Sequence, residues 1–264
     1  MVREMDHPCF DEDAHFRVGR IHLPVAPLCN IKCRFCVHGV CTSKCVRPGA
    51  TSKIMTPQES IIAVEEAIVE DPQIKVVGIA GPGDPLVNAQ TFETLEIIKD
   101  RFSQLITCLS TNGLLLPNKI RQLHQLGVDY VTVTVNAFTP QTADKIYEWL
   151  YLDGKKTKDT SILLRAQQLG VQLAHELDIP IKINTVLIPG VNEHEVEEIA
   201  RWGSKYALGM NVMPLIPRGE FGWMKRPTCT QMNRARLSVS KHMRLFKHCK
   251  QCRTDAVGVP GEML

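Results

Sequence analysis

Residues 20–36 read RIHLPVAPLCNIKCRFC, an apolar run that passes straight into a loop carrying Cys29, Cys33 and Cys36. The run over 20–26 has the composition of a buried strand, and no helix-forming pattern separates it from the loop. Three soft thiolates on one tight loop, spaced x3 and x2, suit three irons of a 4Fe–4S cubane. No fourth thiol closes the set in this spacing, so one iron would stay open to a ligand. Phe35, between the second and third cysteines, would shield such a cluster from water and tune its potential.

Cys41 and Cys45 follow, so five of the ten cysteines fall between positions 29 and 45. Three other uses of these sulfurs compete. Disulfides suit an oxidising compartment, whereas the opening MVREMDHPCFDEDAHF is acidic and polar rather than secretory, so the chain is expected in the reducing cytoplasm. Zinc would suit the pairs Cys33-x2-Cys36 and Cys41-x3-Cys45, but only four residues part them, where zinc modules place about a dozen. A thioredoxin-like pair at Cys33 and Cys36 would leave three thiols of the five without a role.

At 264 residues and 44% hydrophobic content, the chain is long enough for one sizeable core, a common length for a single α/β barrel. The net charge of +3 argues against a nucleic-acid-binding arm or a polybasic membrane patch. The apolar runs, IPIKINTVLIPG among the longest, are too short and too interrupted to span a bilayer.

Strand-like runs alternate with helical ones. Strands are expected at 20–26, 74–81, 104–110, 129–136, 179–188 and 209–216. Between them, apolar residues recur at three- and four-residue intervals, as in TPQESIIAVEEAIVED, capped by Thr56 with Pro57 at its first turn. NEHEVEEIARWGSKY reads likewise, with Asn192 as its cap. Six β–α units without a long insertion imply a parallel sheet curled into a partial (β/α)6 TIM-like barrel. Its functional loops should lie at the carboxyl ends of the strands, where each chemical motif falls.

CNIKCRFC resembles the radical S-adenosylmethionine (SAM) superfamily, whose members carry CxxxCxxC with an aromatic residue before the last cysteine. The resemblance implies that the open iron chelates the amino and carboxylate groups of SAM and that one electron then cleaves a C–S bond. It also points to the segments that would receive SAM. In GIAGPGDPL the candidates are Gly81, Gly83 and Asp84, and in STNG they are Ser110, Thr111 and Asn112. Asn184 and Thr185 in KINTVLIPG would lie near the nucleoside, with Met213 and Pro214 along adenine. Each segment has an ordinary reading beside this one, as a Gly- and Pro-rich turn, an αL turn or plain core.

Cys9, Cys108, Cys229, Cys249 and Cys252 lie outside the loop. Cys249-x2-Cys252 supplies half a ligand set, and Cys9 is an available third if the chain ends meet over the barrel mouth. Side chains alternate along a strand, so Cys108 shares a face with Ser110, and His22 one with Pro24 and Ala26. If that face is the barrel interior, His22 and Cys108 both look into the cavity; otherwise they are core.

GRIHLPVAPLCNIKCRFC, RPGATSKIMTP, VVGIAGPGDPL, CLSTNGLLLP, INTVLIPGVNEHEVEEIA and HCKQCRTDAVG together resemble the NifB family, radical-SAM maturases of the nitrogenase cofactor, in order from about Cys9 to Gly261. This resemblance implies an enzyme that fuses two 4Fe–4S clusters, adds a sulfur and inserts a carbide carbon derived from a SAM methyl group. It would assign Cys29, Cys33 and Cys36 to the SAM cluster, and Cys9, Cys249 and Cys252 to one substrate cluster. His22 and Cys108 would hold the other, with a third ligand from the 37–46 loop. There the family's Asn-Arg-Lys becomes Val37, His38 and Gly39, and Cys41, Cys45 and His38 all remain open as that ligand. The resemblance further implies an N-terminal extension (1–19), a radical-SAM barrel (20–216) and a C-terminal extension (217–264). Expected partners are a low-potential electron donor such as ferredoxin, an iron–sulfur cluster donor, and a separate carrier or scaffold for the product. A paralogue that modifies a peptide or small molecule with auxiliary clusters, and a non-catalytic iron–sulfur scaffold, are the competing readings.

Overall fold

A computed structural model describes residues 6–43, 46–249 and 251–262. The strands up to the cluster loop and its neighbour are β1 (Gly19–His22), β2 (Ile31–Cys33), β3 (Gly39–Val40) and β4 (Ala50–Thr51). Helix α1 (Pro57–Glu70) leads to β5 (Ile74–Ile79), α2 (Ala89–Arg101) to β6 (Ile106–Thr111), and α3 (Leu116–Gln125) to β7 (Tyr130–Thr134). Then come α4 (Pro140–Ile146), β8 (Tyr147–Leu152), β9 (Lys155–Thr157), α5 (Ser161–Glu176), β10 (Ile181–Leu187), α6 (Val196–Gly203) and β11 (Gly209–Pro214). Helix α7 (Cys229–Ser240) and β12 (Val257–Gly258) finish the set.

The main sheet has the order β11-β10-β7-β6-β5-β1-β12, parallel throughout except that β12 runs antiparallel to β1. Six parallel strands curl into the expected partial barrel. Helices cover its convex face, where Ile21, Val77, Ile79, Leu109, Val131, Val133, Ile183 and Val212 form one continuous core with α1, α2, α3 and α6. Burial on both faces explains why β5 reads as an almost unbroken apolar run. On the concave face the same strands present His22, Gly78, Cys108, Ser110, Lys182 and Asn184, one in every two residues, to a single cavity.

Local signals explain most boundaries. Thr56 and Glu59 form a reciprocal capping box at the start of α1, with Pro57 in its first turn. The first strand stops as a regular ladder at His22 rather than at Ala26, because Pro24 has no N–H to donate. Asn192 does not cap α6, which begins after Glu195. Its buried amide instead accepts from the Ile188 N–H and donates to the carbonyls of Asn136 and Val186, tying the ends of β7 and β10 together.

The expectation of six units without an insertion needs a correction. Between α4 and α5 the chain forms a hairpin, β8–β9, turned at Asp153–Gly154 with both residues at positive φ. Strand β8 pairs with β2, so this hairpin grips the backbone of the cysteine loop itself.

Candidate active site

The cysteine loop is held from four sides. The carbonyl of Leu28 accepts from the Asp84 N–H at 2.8 Å and the Asn88 amide at 3.0 Å. Tyr151 N–H donates to the Asn30 carbonyl, which fixes the loop to the hairpin, and Arg34 N–H to that of Ile146, which fixes it to the end of α4. From the C-terminal side, Glu220 N–H reaches the Arg34 carbonyl, and the Phe221 ring packs beside Phe35 at 6.5 Å between centroids. The backbone therefore holds Cys29, Cys33 and Cys36 at the wall of one cavity of about 230 Å³.

Phe35, His38, Gly83, Asp84, Ser110, Thr111, Asn112 and Met213 line the same cavity. Asp84 is buried, which pushes its carboxyl up, while three kinds of donor pull it back: Asn112 N–H at 2.6 Å, the Thr111 hydroxyl at 2.9 Å and Leu86 N–H at 3.0 Å. Asp84 and Thr111 thus bind each other and lock the loops after β5 and β6 into one unit. Asn112 extends that unit, donating to the Asn30 side chain at 2.7 Å and lying 4.0 Å from Cys29 Sγ. Gly81, Thr185 and Pro214 line neither this cavity nor the next. Thr185 faces away because its neighbour Asn184 faces in; its hydroxyl donates to the Val135 carbonyl at 2.6 Å.

The three loop thiols carry no disulfide, and burial raises all three, Cys29 to about 12, with Asp84 adding to the effect there. Sulfur so placed is a poor free thiolate and needs a cation to stabilise its charged form. Among the described residues, no three His, Cys, Asp or Glu side chains converge on a point where one metal ion would sit. A cubane takes each thiolate on a separate iron, and this donor set, walled by Phe35 and Met213, fits a 4Fe–4S cluster.

A second cavity, about 160 Å³, lies deeper in the barrel and gathers Cys9, His22, Cys108, Cys249, Cys252, Ser110, Asn184 and Met213. Cys9 from the N-terminal segment thus meets Cys249 and Cys252 from the C-terminal one. A hydrogen bond from Cys9 to Cys249 raises the Cys9 thiol, with burial adding to it, and lowers Cys249, helped by Lys182 with its Nζ 3.5 Å from Cys249 Sγ. Burial would lower Lys182, but the sulfurs of Cys249 and Cys9 outweigh it and raise this ammonium. Arg20 Nη2 stands 3.2 Å from Cys252 Sγ. Burial, then the charge of Arg20, lowers His22 to about 4, so its ring is neutral at pH 7.

Gly78 makes the room for His22 and Cys108. A Cβ there would lie 2.8 Å from His22 Cδ2, 3.2 Å from Cys108 Sγ and 3.3 Å from His22 Nε2. Cys41 lines neither cavity, but its carbonyl accepts from Arg253 Nη2 at 3.3 Å, and the Arg253 carbonyl faces His22 Nδ1 at 3.0 Å. His38 sits on the other side, 3.6 Å from Cys36 Sγ. Cys45 lies outside the described residues. Cys229 is exposed on α7, far from any role in either cavity.

Lys182, His7 and Gly78 line the second cavity and Arg20 reaches Cys252 beside it, although no sequence motif points to any of the four. Two cations inside apolar strand runs were a signal, since a charge is rarely buried without a partner. His7 and Gly78 gave none.

Residues 23–203 match the family model of the radical SAM superfamily, and the fold agrees. SuiB of Streptococcus suis bound to S-adenosylmethionine superposes with a TM-score of 0.62 at 14% identity, over 88% of this chain and 50% of that one. This is a radical SAM enzyme fold, and membership brings a 4Fe–4S cluster and SAM. Among curated proteins, the FeMo cofactor biosynthesis protein NifB of Methanocaldococcus infernus is 45% identical over 96% of this chain and 85% of its own. That of Klebsiella pneumoniae is 41% identical over 97% of this chain and 57% of its own. The chain belongs to the NifB family. No helix among the described residues is long and apolar enough to cross a membrane.

Proposed function

We propose that this protein builds the eight-iron precursor of a nitrogenase cofactor, joining two 4Fe–4S substrate clusters with an added sulfur and a carbide carbon taken from SAM. The observation that carries this reading is the wall between the cavities. Pro48, Ala80, Ser110, Thr134, Met213 and Gln251 line both, so a molecule in the first cavity abuts one in the second with a single layer of side chains between or beside them.

Cys29, Cys33 and Cys36 would hold the resident cluster, which when bound supplies the electron that cleaves SAM. The chain's own residues do the rest. The Asp84–Thr111–Asn112 unit keeps the loops after β5 and β6 rigid against the cysteine loop, and Phe35 with Phe221 keeps water from its outer side. Ser110 offers a polar contact on the shared wall, and Asn184, whose buried Oδ1 has no partner among the described residues, offers one in the second cavity. Cys9, Cys249 and Cys252 would hold one substrate cluster, beside Lys182 and Arg20, whose charges suit an anionic guest. His22 and Cys108 would hold the other over Gly78. Of the two described candidates for its third ligand, Cys41 is the nearer to His22, its backbone joined to that ring through Arg253, whereas His38 lies beside Cys36; Cys45 lies outside the described residues.

The segments 1–19 and 217–264 act in this reading as extensions that complete the second cavity of the 20–216 barrel. A low-potential donor such as ferredoxin, a cluster donor and a carrier for the product would serve it from outside.

The test is anaerobic reconstitution with SAM and reductant, with and without added 4Fe–4S substrate. S-adenosylhomocysteine and 5′-deoxyadenosine should appear together, and only when substrate cluster is supplied. Abundant 5′-deoxyadenosine without substrate cluster would favour a peptide- or small-molecule-modifying enzyme, and no SAM cleavage at all would leave a scaffold.

A further inference from the structure

Two buried histidines face the second cavity, and their hydrogen bonds fix them in opposite tautomers. His22 Nδ1 lies 3.0 Å from the Arg253 carbonyl oxygen. A carbonyl only accepts, so Nδ1 carries the hydrogen and Nε2 keeps the lone pair that an iron ligand needs. His7 is the reverse. The backbone N–H of Cys9 donates to His7 Nδ1 at 3.1 Å, so Nδ1 holds the lone pair and Nε2 carries the hydrogen.

His7 is 2% exposed and lines the second cavity, yet its Nε2 has no hydrogen-bond partner among the described residues. A stranded buried N–H is costly and calls for an acceptor. Packing does not account for it. The ring meets Phe10 and Tyr130 edge-on at 4.8 Å each, contacts that a phenylalanine would make as well. The acceptor belongs in the cavity, and an anion suits it, since Lys182 and Arg20 already approach the sulfurs of Cys249 and Cys252 there.

We propose that His7 is a positioning residue whose Nε2–H donates to a sulfide of the substrate cluster held by Cys9, Cys249 and Cys252. This rests on the reading of those cysteines as ligands. His7 is not itself a ligand, because binding iron through Nε2 would move its hydrogen to Nδ1 and set it against the Cys9 N–H. A donor to sulfide stabilises the reduced cluster more than the oxidised one and so raises its reduction potential. It also orients a guest that must later leave, without adding an iron–protein bond to break.

The test uses the full chain with Cys29, Cys33 and Cys36 replaced by alanine, so that only clusters in the second cavity are loaded. His7→Phe keeps the ring packing and removes the donor, and His7→Gln places an amide N–H near the position of Nε2. Iron content should be unchanged in both. The reduction potential should fall in His7→Phe and recover in His7→Gln, and an exchangeable-proton coupling, seen by electron–nuclear double resonance in water against deuterium oxide, should vanish and return in parallel. Loaded cluster with potential and coupling unmoved in His7→Phe overturns the donor role, as does loss of iron from both variants. If the chain with His7 intact takes up no cluster in this background, the ligand assignment fails and this inference falls with it.

Discussion

Gly83→Ala should slow SAM cleavage by about 100-fold or more, although Gly83 carries no side chain to bind anything. A Cβ at that position would stand 2.1 Å from the Leu28 carbonyl oxygen, 2.5 Å from its carbon and 2.9 Å from the Pro27 oxygen. All three are backbone atoms, so no rotamer change relieves the overlap. Gly83 N–H also donates to the Ala26 carbonyl at 2.7 Å, and Asp84 N–H to that of Leu28, so the two segments cannot part without losing both bonds. The only relief moves residues 26–29, and Cys29 with them. A ligand displaced by about 1 Å costs about 100-fold in rate, and steric damage of this kind costs about 4 kcal/mol or more of stability. Anaerobic iron analysis and 5′-deoxyadenosine yield measure it together, and near-normal values for both would contradict this account of the loop.

Gly78→Ala should separate the two cavities functionally. The added methyl would press on His22 Cδ2 at 2.8 Å and approach Cys108 Sγ at 3.2 Å, displacing both proposed ligands of one substrate cluster. Overpacking here should cost about 1–3 kcal/mol, which leaves the barrel folded. The proposed ligands of the resident cluster line the other cavity, and Cys9, Cys249 and Cys252 are untouched, so SAM should still be cleaved slowly under reduction when substrate cluster is supplied. Iron bound in the second cavity should drop, and formation of the eight-iron product should be lost. Full product yield from Gly78→Ala would remove His22 and Cys108 from the reaction.

These two glycines show where sequence reading ran out. The barrel was legible because a parallel strand buried on both faces must be apolar along its length, and because capping residues such as Thr56 mark helix starts. The cysteine loop was legible because iron ligation demands one residue type at fixed spacing. The role of Gly83 was only half legible. A Gly-rich turn signals a close backbone approach, but the partner it approaches is the chain's own Leu28, and such long-range pairing leaves no local trace. Gly78 sits inside a strand run where glycine simply reads as a weak strand residue, and its meaning depends on His22 and Cys108 arriving from neighbouring strands. The β8–β9 hairpin did leave a trace, since Asp153–Gly154 between YEWLYL and KKT is a hairpin signature. Asn192 misled for a physical reason: a residue type that caps helices is equally able to bond strand-end carbonyls when buried.

The most direct test of the link between the two cavities is the fate of the SAM methyl hydrogens. If carbon passes from SAM to a substrate cluster and its hydrogen is then removed by a radical formed next door, methyl-deuterated SAM should place deuterium in 5′-deoxyadenosine. The expected result of anaerobic turnover with substrate cluster is 5′-deoxyadenosine carrying one deuterium, with S-adenosylhomocysteine formed alongside. Unlabelled 5′-deoxyadenosine under the same conditions, with the eight-iron product nonetheless formed, would contradict a shared wall across which the two SAM-derived groups meet.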